Sequence, residues 1–190
     1  SKTYYIFKNI LLIITKNQTT KIKNGVHMSN IKIVTIGAGT GQANLLTALS
    51  QYNQLTITAI VGVTDNGGHS GVLRQKLNIP AVGDVRQCLV ALSNKPMLRE
   101  AYMHRDQDGY CTGNNFLARY IKNFGSLAKA TSIAGQELGL NGHTVLPVTN
   151  ASINIVARLV DGQEIIGEWE IIDRPSRGFI AELFLQPDTE

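Results

Sequence analysis

The hydrophobic pattern of residues 31–71 sets the frame for the whole chain. Ile31-Lys32-Ile33-Val34-Thr35-Ile36 is β-branched at nearly every position and predicts a strand. Gly37-Ala38-Gly39-Thr40-Gly41 follows at once, and Ala43, Leu45, Leu46, Ala48 and Leu49 then recur at helical spacing. A second β-branched run, Leu55 to Val63, empties into Thr64-Asp65-Asn66-Gly67-Gly68-His69-Ser70-Gly71. The order is strand, glycine turn, helix, strand, glycine turn. In an open parallel sheet both turns lie at the carboxyl edge, where such folds bind ligands.

Helical patterns continue beyond it. Val72 to Leu77 predicts a short helix stopped near Asn78-Ile79-Pro80. Val82 to Leu92 predicts a helix with Asp84 as N-cap and Val85, Leu89 and Leu92 on one face. Further helices are expected from Pro96 to about Arg105, Asn114 to Phe124 and Ser126 to Leu138, the last two divided at Gly125 and the final one ended by Gly139. From His143 the period changes to two. Val145-Leu146, Ile153 to Val160, Glu164 to Ile171 and Ile180 to Leu185 read as strands, with Asp161-Gly162 as a hairpin turn. Parallel α/β organisation thus gives way to an antiparallel β appendage.

Residues 1–27 fit this scheme poorly. Tyr4 to Phe7 and Ile10 to Ile14 form a short apolar patch between lysines, and no small-residue cleavage site follows it. Met28-Ser29-Asn30 resembles a natural start. The domain expected is therefore 28–190, with 1–27 a non-native or disordered extension.

Charge sharpens the division. The formal net charge of +4 invites a nucleic-acid partner, but residues 1–30 carry five lysines and no acid. The remainder holds 13 basic and 14 acidic residues, so the domain has no basic footprint for nucleic acid. A hydrophobic share of 43% and a charged share of 17% are those of a water-soluble globular domain, and no stretch is long enough to span a bilayer. Cys88 and Cys111 lack metal spacing and suit a reduced, cytoplasmic protein.

Four loop-to-helix junctions carry the candidate chemistry. At Gly37-Ala38-Gly39-Thr40-Gly41, glycines permit φ > 0 and leave backbone N–H groups open to a phosphate, and Thr40 adds a hydroxyl. The spacing is GxGxG and matches the dinucleotide fingerprint only loosely. At the second junction, Asp65 can bind a ribose hydroxyl or orient a metal-bound phosphate, or it can simply form an Asx turn with Asn66, Gly67 and Gly68. His69 reads as a solvated loop histidine, and Ser70 lacks a nucleophile-elbow context. At the third, Arg86 can reach an anion bidentately or pair with Asp84 on the surface. At the fourth, Gly109-Tyr110-Cys111-Thr112-Gly113-Asn114-Asn115, Asn114 caps a helix or reads a base or sugar. Cys88 reads as core, and the scattered His27, His104 and His143 argue against a zinc site.

In this order, IGAGTGQANLL, TAIVGVTDNGGHSGVLR, VGDVRQCLVAL, GYCTGNNFL and TVLPVT resemble the YvcK/YbhK family of gluconeogenesis factors, relatives of the 2-phospho-L-lactate transferase CofD. The likeness runs from about Ile31 to Pro187. It implies a Rossmann-like three-layer α/β fold in a cytoplasmic protein that binds UDP-sugars such as UDP-N-acetylglucosamine. It also implies a role in cell shape and wall synthesis during gluconeogenic growth. By match to the family motifs, Gly37, Gly39, Thr40 and Gly41 would line the phosphate side. Asp65, Asn66, Gly67, Gly68 and Ser70 would form the second ligand loop, and Asp84, Arg86 and Asn114 the rim.

Three departures stand out. Asn66 occupies a position where many relatives have a second Asp, which weakens a metal-assisted transferase. Tyr110 stands where the family usually has His. Relatives also continue well past Pro187, so the resemblance implies a shortened copy with a half-built site. The expected function is therefore a non-catalytic nucleotide-sugar-binding regulator that needs no cofactor, with a homodimer as one admissible assembly. The alternative is a CofD-like transferase using Mg2+ on Asp65. An ordinary dinucleotide-binding domain, with Asp65 on a ribose, is the third reading.

Overall fold

The computed structural model describes residues 2–7, 10–16, 31–173 and 178–187. The elements in chain order are β1 (Lys2–Phe7), β2 (Ile10–Lys16), β3 (Ile31–Gly37), α1 (Gly39–Leu49), β4 (Leu55–Val61), α2 (Gly68–Leu77), α3 (Gly83–Leu92), α4 (Pro96–Met103), α5 (Thr112–Phe124), α6 (Leu127–Leu138), β5 (Thr144–Pro147), β6 (Asn154–Leu159), β7 (Glu164–Ile166), α7 (Glu168–Ile172) and β8 (Ile180–Gln186). β3, β4 and β5 are parallel, and the five-stranded order is β1-β2-β3-β4-β5. β1 and β2 form an antiparallel pair on the edge of β3, so backbone in the region set aside from the domain joins the sheet. Met28 to Asn30 lie outside the described residues.

Strand alternation explains the core. Ile33 and Thr35 of β3, Ile57, Ala59 and Val61 of β4 and Val145 of β5 are buried on one face. There they meet α1, α3 and α6 through Leu46, Val85, Leu89, Ala130, Ala134 and Leu138. The alternate positions Val34, Ile36, Thr58 and Ile60 are only half buried, and Leu146 is exposed. Gln42, fully buried in α1, donates to Thr35 Oγ1 at 3.0 Å and to the Ile60 carbonyl at 3.1 Å, so a polar residue ties helix to sheet without an orphaned group.

Helix ends follow the expected chemistry in part. Gly125 and Gly139 take left-handed conformations after α5 and α6, and Ser126 Oγ accepts the Lys129 N–H as a true N-cap. Asp84 is not a cap. Val82 holds that position, and Asp84 lies in the first turn of α3. α5 begins at Thr112 with Cys111 at the N-cap, which moves Asn114 inside the helix.

The antiparallel appendage is a separate three-stranded sheet, β7-β6-β8. Two expectations for this half are corrected. Val145-Leu146 belongs to the parallel sheet, paired with β4 through Ala59↔Val145. The strand expected from Glu164 to Ile171 stops at Ile166, because Gly167 turns the backbone to φ +109 and α7 follows.

Candidate functional site

The parallel register pairs Gly37 with Val61, so the β3–α1 and β4–α2 loops open side by side at the carboxyl edge. Gly39 has φ +68, and Gly62 donates to the Gly37 carbonyl at 2.8 Å. These residues turn the chain within two positions of the strand end. Thr40 and Gly41 are exposed in the first turn of α1, where the helix offers unpaired N–H groups. Thr40 Oγ1 lies 3.5 Å from Gln87 Oε1.

The second junction is shorter than its sequence suggests. Gly67 is the N-cap of α2, so Gly68, His69 and Ser70 are helical. Asp65 Oδ1 accepts the Gly67 N–H at 2.9 Å, the Asx-type bond weighed above. Asn66 turns away toward α7: its Oδ1 accepts the Trp169 N–H at 2.9 Å and its amide donates to Glu170. Thr64 donates to Glu168 at 3.1 Å. Buried Arg74 fastens this loop from beneath, donating to the carbonyls of Thr64 and Asp65 and, from Nη2, to the Ile153 carbonyl and Asn154. The loop is thus tied to the antiparallel sheet.

Asp84 and Arg86 are both buried, which corrects the surface-pair alternative. Burial pushes the Asp84 carboxyl up to about 6; the Gly39 N–H and Arg86 oppose this, while Asp65 and Glu168 reinforce it. Gln87 donates to Asp84 at 3.3 Å. Ser70 Oγ accepts the Gly83 N–H at 3.1 Å, joining α2 to α3. Arg86 Nε donates to Asn114 Oδ1 at 2.9 Å, so Asn114 satisfies a buried cation rather than capping α5. Desolvation lowers the Arg86 pKa from its ordinary value.

Asp65, Ser70, Asp84 and Arg86 therefore converge through direct contacts or shared fields, and Gly39, Thr40 and Gly41 stand beside them. Asn66 is spent on α7. A groove of about 360 Å³ runs from Thr40 and Gln87 toward Arg99 and Met103, and another of about 330 Å³ opens at Asn66, Arg74 and Asn154. A cavity of about 450 Å³ between α6 and β5 is lined by Ser132, Gln136 and His143, away from the glycine turns.

Three contributors escaped the sequence reading. His69 is buried at 8% exposure, not solvated. Arg74 ends the TAIVGVTDNGGHSGVLR stretch, yet nothing in the sequence marks it as the tie beneath the loop. Trp169 and its flanking glutamates fall within the alternating run that predicts a strand, and Gly167 inside that run is the signal of a turn. Asp65 Oδ1 accepts the Gly67 N–H, and among the described residues no group of three or more His, Cys, Asp or Glu side chains is arranged to hold a metal.

Parallel strands ending in glycine turns, with buried charge at the first turns of neighbouring helices, define a Rossmann-like α/β domain. The chain belongs to the family described as 2-phospho-L-lactate transferase CofD, whose profile matches residues 33–190. It is 38% identical over 163 residues to the gluconeogenesis factor of Bacillus subtilis, covering 83% of this chain and 50% of that protein. It is 39% identical over 167 residues to the gluconeogenesis factor of Halalkalibacterium halodurans, covering 84% and 50%. A crystal structure of a Bacillus halodurans protein of the UPF0052 family superposes with a TM-score of 0.75 at 38% identity, covering 81% of this chain and 50% of that one. The chain spans about half the length of the curated relatives it matches.

Among the described residues no helix is long and apolar enough to cross a membrane.

Proposed function

We propose that this domain binds a nucleotide-sugar of the UDP-N-acetylglucosamine class and acts as a cytoplasmic regulator of cell shape and wall synthesis under gluconeogenic growth. The supporting observation is the pairing of Gly37 with Val61, which sets two helix-leading glycine loops side by side. A diphosphate needs such a surface of backbone N–H groups, and a sugar or ribose needs nearby carboxylates such as Asp65 and Asp84. No nucleophile–base pair is required for this role.

Calorimetry on the chain with UDP-N-acetylglucosamine, GDP with magnesium, and NADH tests the reading. Selective UDP-sugar binding is expected. Tight NADH binding without UDP-sugar binding contradicts it. A CofD-like metal-dependent transferase is the second reading, favoured by the family description and by the Asp65 and Asp84 carboxylates lying within each other's field. Magnesium-dependent turnover lost in Asp65→Ala would establish that alternative.

A further inference from the structure

His69 sits in the first turn of α2, and its ring stacks on Tyr110 with centroids 4.6 Å apart and planes inclined by 21°. The backbone N–H of Cys111 donates to His69 Nδ1 at 2.8 Å. A ring nitrogen that accepts a hydrogen bond carries no proton, so the neutral imidazole holds its proton on Nε2. Protonating Nδ1 would set two N–H groups against each other, and burial adds to the same preference: the His69 pKa is lowered, first by desolvation. The junction before α5 thus fixes both the tautomer and the plane of a side chain on α2.

The other nitrogen has no protein partner. Among the described residues no acceptor meets Nε2, and the one buried side-chain nitrogen or oxygen left unpaired is Arg74 Nε. Nε2 therefore reaches solvent although the ring is nearly buried. Arg105, Arg86 and Lys76 act on this ring, with Asp106 opposing them, and cations beside a free N–H suit a negatively charged oxygen.

We propose that His69 is a ligand-binding residue of the glycine edge, presenting Nε2–H as a fixed neutral donor to a phosphate oxygen of the bound molecule. This rests on the nucleotide-sugar reading above. Arg86 is committed to Asn114, so it supplies field more than hydrogen bonds, and His69 supplies the directed donor. Tyr110 and Cys111 are positioning residues, acting through the imidazole.

Two substitutions separate binding from a purely structural tie. In His69→Asn the amide oxygen falls near the Nδ1 position and can accept the Cys111 N–H, but nothing occupies the Nε2 position. In His69→Gln the amide reaches the Nε2 position. Calorimetry with UDP-N-acetylglucosamine should show His69→Asn weakened about tenfold or more, with a near-native melting temperature, and His69→Gln closer to wild type. Wild-type affinity in a folded His69→Asn overturns the assignment.

If His69→Asn fails to fold, nitrogen NMR of the wild-type histidines carries the test. The His69 Nε2–H resonance should move on saturation, and an unmoved resonance overturns the proposal. Inorganic pyrophosphate serves as the second probe. A resonance that moves with pyrophosphate in a chain that ignores the UDP-sugar overturns the nucleotide-sugar reading and supports His69 as a phosphate ligand. A folded chain that binds neither probe overturns both.

Discussion

Arg86 donates its Nε–H to Asn114 Oδ1 at 2.9 Å inside the protein, joining the first turn of α3 to that of α5. Both groups are nearly inaccessible, at 3% and 2% exposure, so neither can turn to water if the other is lost. The guanidinium stem also packs where Gly113 leaves room, since a Cβ there would stand 2.8 Å from Arg86 Cδ. Two candidate site residues widely separated in sequence are therefore one structural unit.

The two single substitutions that each break this unit should together cost more than the double substitution does. Asn114→Ala leaves a buried cation with one donor unmatched and is expected to destabilise by about 2 kcal/mol. Arg86→Ala should cost about 3 kcal/mol. Urea unfolding of the two single variants and the double variant should give a coupling of about 1 kcal/mol or more. Simple additivity would show that the pair is not coupled.

Asp84 makes stability depend on pH in a defined direction. Its carboxyl is raised from 3.8 to about 6, so the folded state holds the proton longer than the unfolded chain. Stability is greatest while both states are protonated. It falls as pH rises through this window, and the loss is complete above about 6. The full cost is on the order of 3 kcal/mol. Asp84→Asn should flatten that slope and gain about 1 kcal/mol at neutral pH, less than the full cost because the amide must still meet Gly39 and Gln87. Unfolding free energies measured across the acid range decide this, and an unchanged slope in Asp84→Asn contradicts it.

Glycines in the site region do different work, and alanine substitution separates them. A Cβ at Gly71 would overlap the Asn66 carbonyl, which is backbone and has nowhere to go. Gly71→Ala should lose about 3 kcal/mol or fail to fold. Gly39 has open space around it and only its φ of +68 to protect, so Gly39→Ala should cost about 1 kcal/mol. Circular dichroism melts rank the two, and equal losses would contradict the packing account.

Local chemistry was legible wherever one segment decides its own structure. The β-branched runs of β3 and β4, the glycine turns after them, and the left-handed Gly125 and Gly139 all follow from neighbours in sequence. What the sequence concealed depends on distant partners. Val145 is apolar in either sheet, and nothing within Thr144–Pro147 says that β4 is its neighbour. Glu164 to Ile171 alternates like a strand, yet Trp169 and Glu170 are drawn to Asn66, over a hundred residues away. His69 looked solvated because its flanks are glycine and serine; its burial comes from Tyr110 and Cys111. Asp65, Asp84 and Arg86 are identifiable as candidates from sequence, but the burial of Asp84 and Arg86 and the field they share with Asp65 are not.

Ligand binding at the β4–α2 loop should reach the appendage. Asn66 holds α7 through Trp169 and Glu170, and Arg74 holds β6 through Asn154. Asn66→Ala should leave the parallel sheet intact while releasing α7, at a cost of about 1 kcal/mol. Faster amide exchange confined to residues 167–173 would bear this out. Unchanged exchange there would show that α7 is held by its own contacts with β6.

Trp169, the single tryptophan of the chain, lies against this loop: a Cβ at Gly67 would stand 3.6 Å from its ring. It thus reports directly on the candidate site. The decisive measurement is Trp169 fluorescence of the folded chain during titration with UDP-N-acetylglucosamine, run beside calorimetry. The account predicts a saturable change whose midpoint matches the calorimetric one. A folded protein that shows neither heat nor a fluorescence change would contradict it.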